Sequence, residues 1–393
     1  VKGIKILLCI ALVIILPGCW DRKELNDLAI AVGIGIDKVQ GGYQVSVQVV
    51  DPAEVAANKG KPGRSPVTLF TMNAPTIFEA VRKMTTISPR KIYMAHTRML
   101  IFGEEVAREG IAPVVDFVSR DHEFRTDFYI AIARGTTARN ILRVITPLEQ
   151  IPSTEMFASL ETSSKVWAPT AAITMDQLIT DFTSKGKQAV LTGVRLTGPA
   201  REGDQRKNVE QIDTPVLLQY TTLATFRGDK MFNWLSEADS KAYSYITGKV
   251  KSTVGSLPCK GGGLLTMEVM HADAKIEATM KNGAPEIIVH IGLENDIGEV
   301  QCKLDLTEED TIKELEKESE KSMVALATKA IANAKKNGVD IYGFGEAIHR
   351  KYPKVWKKIG SNWDKEFSKL PVHVIADVKI RRLGTINNAF EEK

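Results

Sequence analysis

Beyond residue 19 this 393-residue chain has no apolar run approaching the ~18 residues of a membrane-spanning helix, so nothing in its body reads as transmembrane. Cysteine is scarce: Cys9, Cys19, Cys259 and Cys302 are all there is. The histidines, His96, His122, His271, His290, His349 and His373, never pair at metal-ligand spacing, and no His-Glu-x-x-His occurs. An excess of one charge is missing too. The formal net charge is +4 and loses two positive charges if Lys2 and Lys5 are removed, which leaves no global footprint for nucleic acid. Gly33-Ile34-Gly35 lacks a third spaced glycine, and Gly261-Gly262-Gly263 lacks the Gly-Lys-Ser/Thr ending of a phosphate loop. No Gly-x-Ser-x-Gly elbow appears. The sequence thus offers no catalytic residue, metal set or dissociable cofactor site by motif.

What is present begins at the amino terminus. Lys2 and Lys5 precede the unbroken apolar run Ile6–Leu16, and Pro17-Gly18-Cys19 follows it. As a helix, that run reaches only about 17 Å, short of a ~30 Å hydrocarbon core. A basic start, a short apolar core and a small residue before cysteine make residues 1–18 a lipoprotein signal peptide. The expected product is cut before Cys19, which carries diacylglycerol on its sulfur, with or without an N-acyl chain. The alternative is an ordinary signal peptide in which Cys19 is incidental. Cys9 leaves with the leader, so only Cys259 and Cys302 remain free to pair outside the membrane. A bridge between them closes a loop of about 40 residues. Cys302 also alternates with Val300, Leu304 and Leu306, as a small buried hydrophobe in a strand would.

Patterning divides the mature chain into 19–150, 151–255 and 256–393, each mixing strands and helices. In the first unit Tyr43, Val45, Val47 and Val49 alternate with polar residues, and extended runs lie near Ala29–Asp37, Tyr93–Phe102 and Phe124–Ala133. Asp51–Pro66 reads as a mobile loop. In the second, Thr174 and Gln177 form a capping-box pattern, strands are expected at Ala189–Thr197 and Thr222–Trp234, and Gly198–Gln211 reads as an exposed polar loop. In the third, Asn282-Gly283 between alternating runs signals a hairpin, Glu299–Leu306 reads as a further strand, and Thr307 caps a long amphipathic helix. Ile312, Leu315, Met323, Leu326, Ala330 and Ala334 form its apolar stripe. Val372–Ile380 alternates again. The class is α+β, multi-domain, with mixed and antiparallel sheets and packed helices.

Two clusters admit a functional and a structural reading. Asp116, Asp121, Glu123 and Asp127 crowd His122, as at a cation site or as at a solvated helix end. Lys351, Lys354, Lys357 and Lys358 interleave with Trp356, Trp363 and Phe367, as on a surface touching anionic lipid heads or as a core stripe with a wet lysine face.

The stretch Gly18-Cys19-Trp20-Asp21-Arg22-Lys23-Glu24-Leu25, running on to Gly33-Ile34-Gly35-Ile36-Asp37, closely resembles the start of the GerC-type spore germination lipoproteins. Ala95-His96-Thr97-Arg98, Gly103–Arg125, Tyr352-Pro353, Trp356, Trp363, Phe367 and the strand through Val378 extend that resemblance over nearly the whole mature chain. It implies a multi-domain α+β fold and a non-enzymatic C subunit of a nutrient germinant receptor. Such a subunit is tethered through Cys19 to the outer surface of the spore inner membrane, beside A-type and B-type integral subunits. The alternative, a solute-binding lipoprotein of a nutrient transporter, calls for two similar α/β lobes, which the meander and hairpin signals and the long helix fit poorly. A cell-wall-facing hydrolase calls for paired acids or a zinc set.

Overall fold

The structure, a computed structural model, describes Gly3 and residues 27–50 and 65–382. The leader (Gly3 apart), Cys19 and residues 51–64 of the expected loop lie outside the described residues. The chain runs β1 (Leu28–Val39), β2 (Gly42–Val50), β3 (Val67–Ala74), α1 (Ile77–Lys83), β4 (Lys91–Tyr93), β5 (Met99–Gly103), α2 (Glu104–Glu109), α3 (Ala112–Arg120), β6 (Tyr129–Ala133) and α4 (Ala138–Arg143). It continues through α5 (Pro152–Val166), α6 (Met175–Thr183), β7 (Val190–Leu196), α7 (Lys207–Glu210), β8 (Leu218–Arg227), β9 (Lys230–Trp234) and α8 (Glu237–Ile246). The last part holds β10 (Thr253–Pro258), β11 (Leu264–Lys281), β12 (Ala284–Val300), α9 (Glu309–Asn337), α10 (Phe344–Lys351), α11 (Pro353–Ile359), α12 (Trp363–Lys369) and β13 (Val372–Arg382).

Two mixed sheets result. The first has the order β3-β2-β1-β5-β6-β7-β8-β9, with β4 on the start of β1; the second is β10-β11-β12-β13. β1, β5, β6 and β7 are parallel, and antiparallel pairs extend both ends. The step at residue 150 lies between α4 and α5, and the first sheet continues past it because β7 pairs with β6. Both faces of that sheet are covered: on β5, Leu100 and Phe102 enter the main core while Met99 and Ile101 enter a second one under α4 and α5. The main core passes through Tyr243, Tyr342 and Phe344 into the second sheet.

Polar side chains of β1 and β2 fasten α4 and α5 to the second face. Asp37, 6% exposed, accepts from the Ala138 and Arg139 N–H groups at 2.8 and 2.9 Å, satisfying orphan donors at the start of α4. Buried Gln48 donates to the Leu142 carbonyl at 2.9 Å and accepts from the Ser153 hydroxyl at 2.7 Å. The spacing of the Gly33-Ile34-Gly35 motif follows from this packing. A Cβ at Gly33 would lie 2.1 Å from Ser153 Oγ, and one at Gly35 would lie 3.1 Å from Ala138 Cβ.

Several local signals hold. Asn282 and Gly283 have φ of 51° and 81°, the pair of positive angles that joins two strands of right-handed twist, and they connect the 18-residue β11 to the 17-residue β12. The Thr174/Gln177 capping box opens α6. The 29-residue α9 buries Met323, Ala330 and Ala334 of the expected stripe, and Ile312 and Leu315 pack into a small distal core. Gly338 closes the helix in the left-handed region, as its φ of 63° requires.

Others differ. The run Tyr93–Phe102 breaks into β4 and β5, because β4 follows residues 28–30 of β1, β5 follows residues 33–36, and the ladder slips between Ala31 and Gly33. Phe124–Ala133 is strand only from Tyr129. No separate strand covers Glu299–Leu306: β12 ends at Val300 and an irregular link follows. Thr307 does not cap α9; its hydroxyl donates to Asp305 Oδ1 at 2.5 Å, and Glu308 takes the cap position. Gly198–Gln211 is pinned rather than wholly exposed, since fully buried Asn208 donates to the Ile145 and Val216 carbonyls at 2.8 and 3.0 Å. Cys259 and Cys302 form a disulfide with Cα atoms 6.2 Å apart, tying the start of the β11–β12 hairpin to its end.

Gly33→Ala is expected to lower unfolding stability by about 2 kcal/mol in urea titrations, because the added methyl meets a fully buried, hydrogen-bonded serine. Replacing Cys259 and Cys302 together by Ala is expected to cost about 3–4 kcal/mol, with the slope of the unfolding curve reporting the less constrained denatured chain.

Candidate functional site

The end of α6 and the chain leading to β7 meet the loop that enters α10, and the contact is built on glycine. A Cβ on Gly186 would lie 2.5 Å from the Gly345 carbonyl carbon, and the Glu346 N–H donates to the Gly186 carbonyl at 3.2 Å. Asp340 organises this seam. Its Oδ1 accepts from the Tyr342, Gly343 and Phe344 N–H groups at 3.1, 2.9 and 3.2 Å. Its Oδ2 accepts from the Gly345 N–H at 2.9 Å and the Trp363 indole N–H at 3.0 Å. The first donors of α10 are thereby satisfied in the interior, at the helix end where the macrodipole favours an anion. Burial pushes the carboxyl up to about 6, against the pull of these donors. The Asp340 carbonyl accepts from the Gln188 N–H at 2.7 Å, carrying the same residue into the first sheet.

Charges behind the seam are paired internally. Lys187 donates to Asp181 at 2.7 Å with both side chains mostly buried. Burial pulls the Lys249 ammonium below its usual range, opposed by Asp181, and its Nζ lies 5.3 Å from the centre of the buried Tyr243 ring.

On the outer side of the seam, a groove of about 1040 Å³ opens between α6 and the α10–α11 corner. Trp356, 6% exposed, lies in its wall with the His349 ring stacked 5.4 Å away. Lys185, Arg350 and Lys357 line it and carry no ion pair among the described residues, while Glu346 supplies a carboxylate. An open groove with three cations and neighbouring hydroxyls suits contact with an acidic surface.

Of the residues singled out in the sequence, Trp356 and Lys357 line this groove and Trp363 holds Asp340, while the others fall elsewhere. Cys19 lies outside the described residues, and the Cys259–Cys302 bridge sits at the distal end of the second sheet. Asp116 pairs with Arg120 at 2.9 Å, Asp127 with Arg125 at 3.0 Å and Glu123 with Lys91. Among the described residues no group of three or more His, Cys, Asp or Glu could hold a metal, and no helix is long and apolar enough to cross a membrane. Trp356, Trp363 and Phe367 belong to the main core, and Lys351 reaches Glu277 at 3.0 Å. Sequence reasoning missed Asp340. The signal was the sequence Asp340-Ile341-Tyr342-Gly343-Phe344-Gly345 directly after a helix end.

Residues 21–196 match the family described as the spore germination protein N-terminal domain, and residues 221–384 match "Spore germination B3/GerAC like, C-terminal". Spore germination protein KC of Bacillus subtilis strain 168 is 31% identical, covering 100% of this chain and 98% of its own. Spore germination protein B3 of the same organism is 25% identical over 94% of this chain and 95% of its own. The crystal structure of the GerBC protein superposes with a TM-score of 0.56 at 19% identity, covering 92% of this chain and 99% of that one, a likeness of fold.

Asp340→Asn is expected to destabilise the protein by about 3 kcal/mol, because an NH₂ group then faces donors that had a carboxylate. Urea titration checks this.

Proposed function

The chain belongs to the GerAC-like family of spore germination proteins, and from that premise we propose that it is the C subunit of a nutrient germinant receptor. It acts without chemistry of its own, tethered to the outer surface of the spore inner membrane beside an A-type and a B-type integral subunit. The observation that carries this reading is Gly18-Cys19 at the end of the short apolar run. Each buried methylene contributes about 0.8 kcal/mol, so two acyl chains on Cys19 hold the body durably without a spanning helix. Residues 20–27 separate Cys19 from β1 and reach at most about 30 Å fully extended. Such a tether confines the body to a thin layer and raises its effective concentration against integral partners, so weak contacts suffice. The cationic groove beside the seam is a suitable face for an acidic loop of such a partner.

Cys19→Ala is expected to leave the body folded but to move it from the membrane to the soluble fraction of spore lysates, with loss of the nutrient response. Firm membrane retention of the Ala variant would rule out lipid as the main anchor. Mild-detergent purification of the tagged protein from spores is expected to bring the A-type and B-type subunits with it.

A further inference from the structure

A second cleft, of about 440 Å³, lies away from the seam, between α8 and α9 over the second sheet. Its floor contains an anomaly of sequence. The inward-facing row of β12 reads Ile287, Val289, Ile291, Leu293, Asn295 and Ile297: five aliphatic residues and one amide. Asn295 is only 4% exposed, and among the described residues its Oδ1 has no hydrogen-bond partner. It sits where the ladder slips on both sides, between Val269 and His271 on β11 and between Asn295 and Asp296 against β13, a place where bulges re-aim side chains. No hydrogen bond fixes the amide, so half a turn about its terminal torsion exchanges donor for acceptor at the cleft.

Met267, Leu293, Met323 and Leu326 line the same cleft as Asn295 and give it apolar walls. A lone water needs two to four polar partners to be held well, and of the hydroxyls lining the cleft Ser319 already donates to the Leu315 carbonyl at 2.7 Å and Ser256 pairs with the Thr266 hydroxyl at 2.9 Å. The charged side chains lining the cleft are one of each sign, so no net charge in its walls selects a charged head group. Lys241, on the α8 wall, donates to the Val254 carbonyl, and Glu237 stands at the exposed rim.

We propose that this cleft is a binding site for a small uncharged aliphatic molecule with a primary amide or equivalent donor–acceptor head, seated on Asn295. The head pairs reciprocally with the Asn295 amide, and the hydrocarbon part lies against the two methionines, whose flexible side chains adapt to its shape. The site goes beyond the anchoring and subunit role and depends on neither.

Isovaleramide titrated into the full-length protein in detergent, followed by calorimetry, tests it. Saturable binding at about millimolar affinity is expected, as suits so few heavy atoms. Asn295→Leu is expected to weaken that binding about tenfold or more while leaving the protein folded, since it completes the aliphatic row. Leu326→Trp, which fills the cleft and leaves residue 295 unchanged, is expected to abolish binding, and it serves alone if the first variant does not fold. Absence of saturable binding to the unaltered protein would overturn the proposal. So would unchanged affinity in both variants, or equal affinity for the isovalerate anion.

Discussion

A helix that starts inside a protein must find partners for its first N–H groups, and two buried carboxylates meet that requirement here. Asp37 closes the start of α4, and Asp340 closes the start of α10 while holding the Trp363 indole. Asp37 reaches a helix about a hundred residues along the chain, whereas Asp340 caps the helix that follows it and reaches forward to Trp363. Without them, donors would be buried unpaired at about 1–3 kcal/mol each, and neither helix could lie flat against its neighbours. The close approach of glycine backbones at Gly33, Gly35, Gly186 and Gly345 is the steric counterpart of the same device.

The consequence is a body in which the two sheets share one core. Main-core residues run from β1 through Tyr243, Tyr342 and Phe344 to β12 and α9. The two family matches, over residues 21–196 and 221–384, meet across this shared interior. A body built this way presents its surfaces at fixed relative positions. The cationic groove outside the seam and the amide-floored cleft over the second sheet are therefore held in one frame.

Much of the architecture was legible wherever the deciding interactions are local. The Asn282-Gly283 turn, the Thr174/Gln177 box and the α9 stripe depend on neighbours within a few residues, and each appears where the pattern places it. The reading was poorer where a distant partner decides. Tyr93–Phe102 is cut in two by the slip on β1, and Gly198–Gln211 is pinned by Asn208 reaching back to Ile145. The candidate sites were the least legible part. Asp340 has an ordinary local sequence until its five donors converge, and Asn295 looks like one more polar residue in a strand until its face is known.

Sequence alone was sufficient for the α+β class and for membership of the germination family, because periodicity, turn chemistry and a contiguous motif are all written along the chain. Only the tertiary structure decided that β6 and β7 join across the step at residue 150, that Cys259 meets Cys302, and that an amide lies among aliphatic side chains. The reason is the same in each case. Burial and pairing between residues far apart in sequence depend on where the sheets and helices come to rest, and no local pattern carries that information.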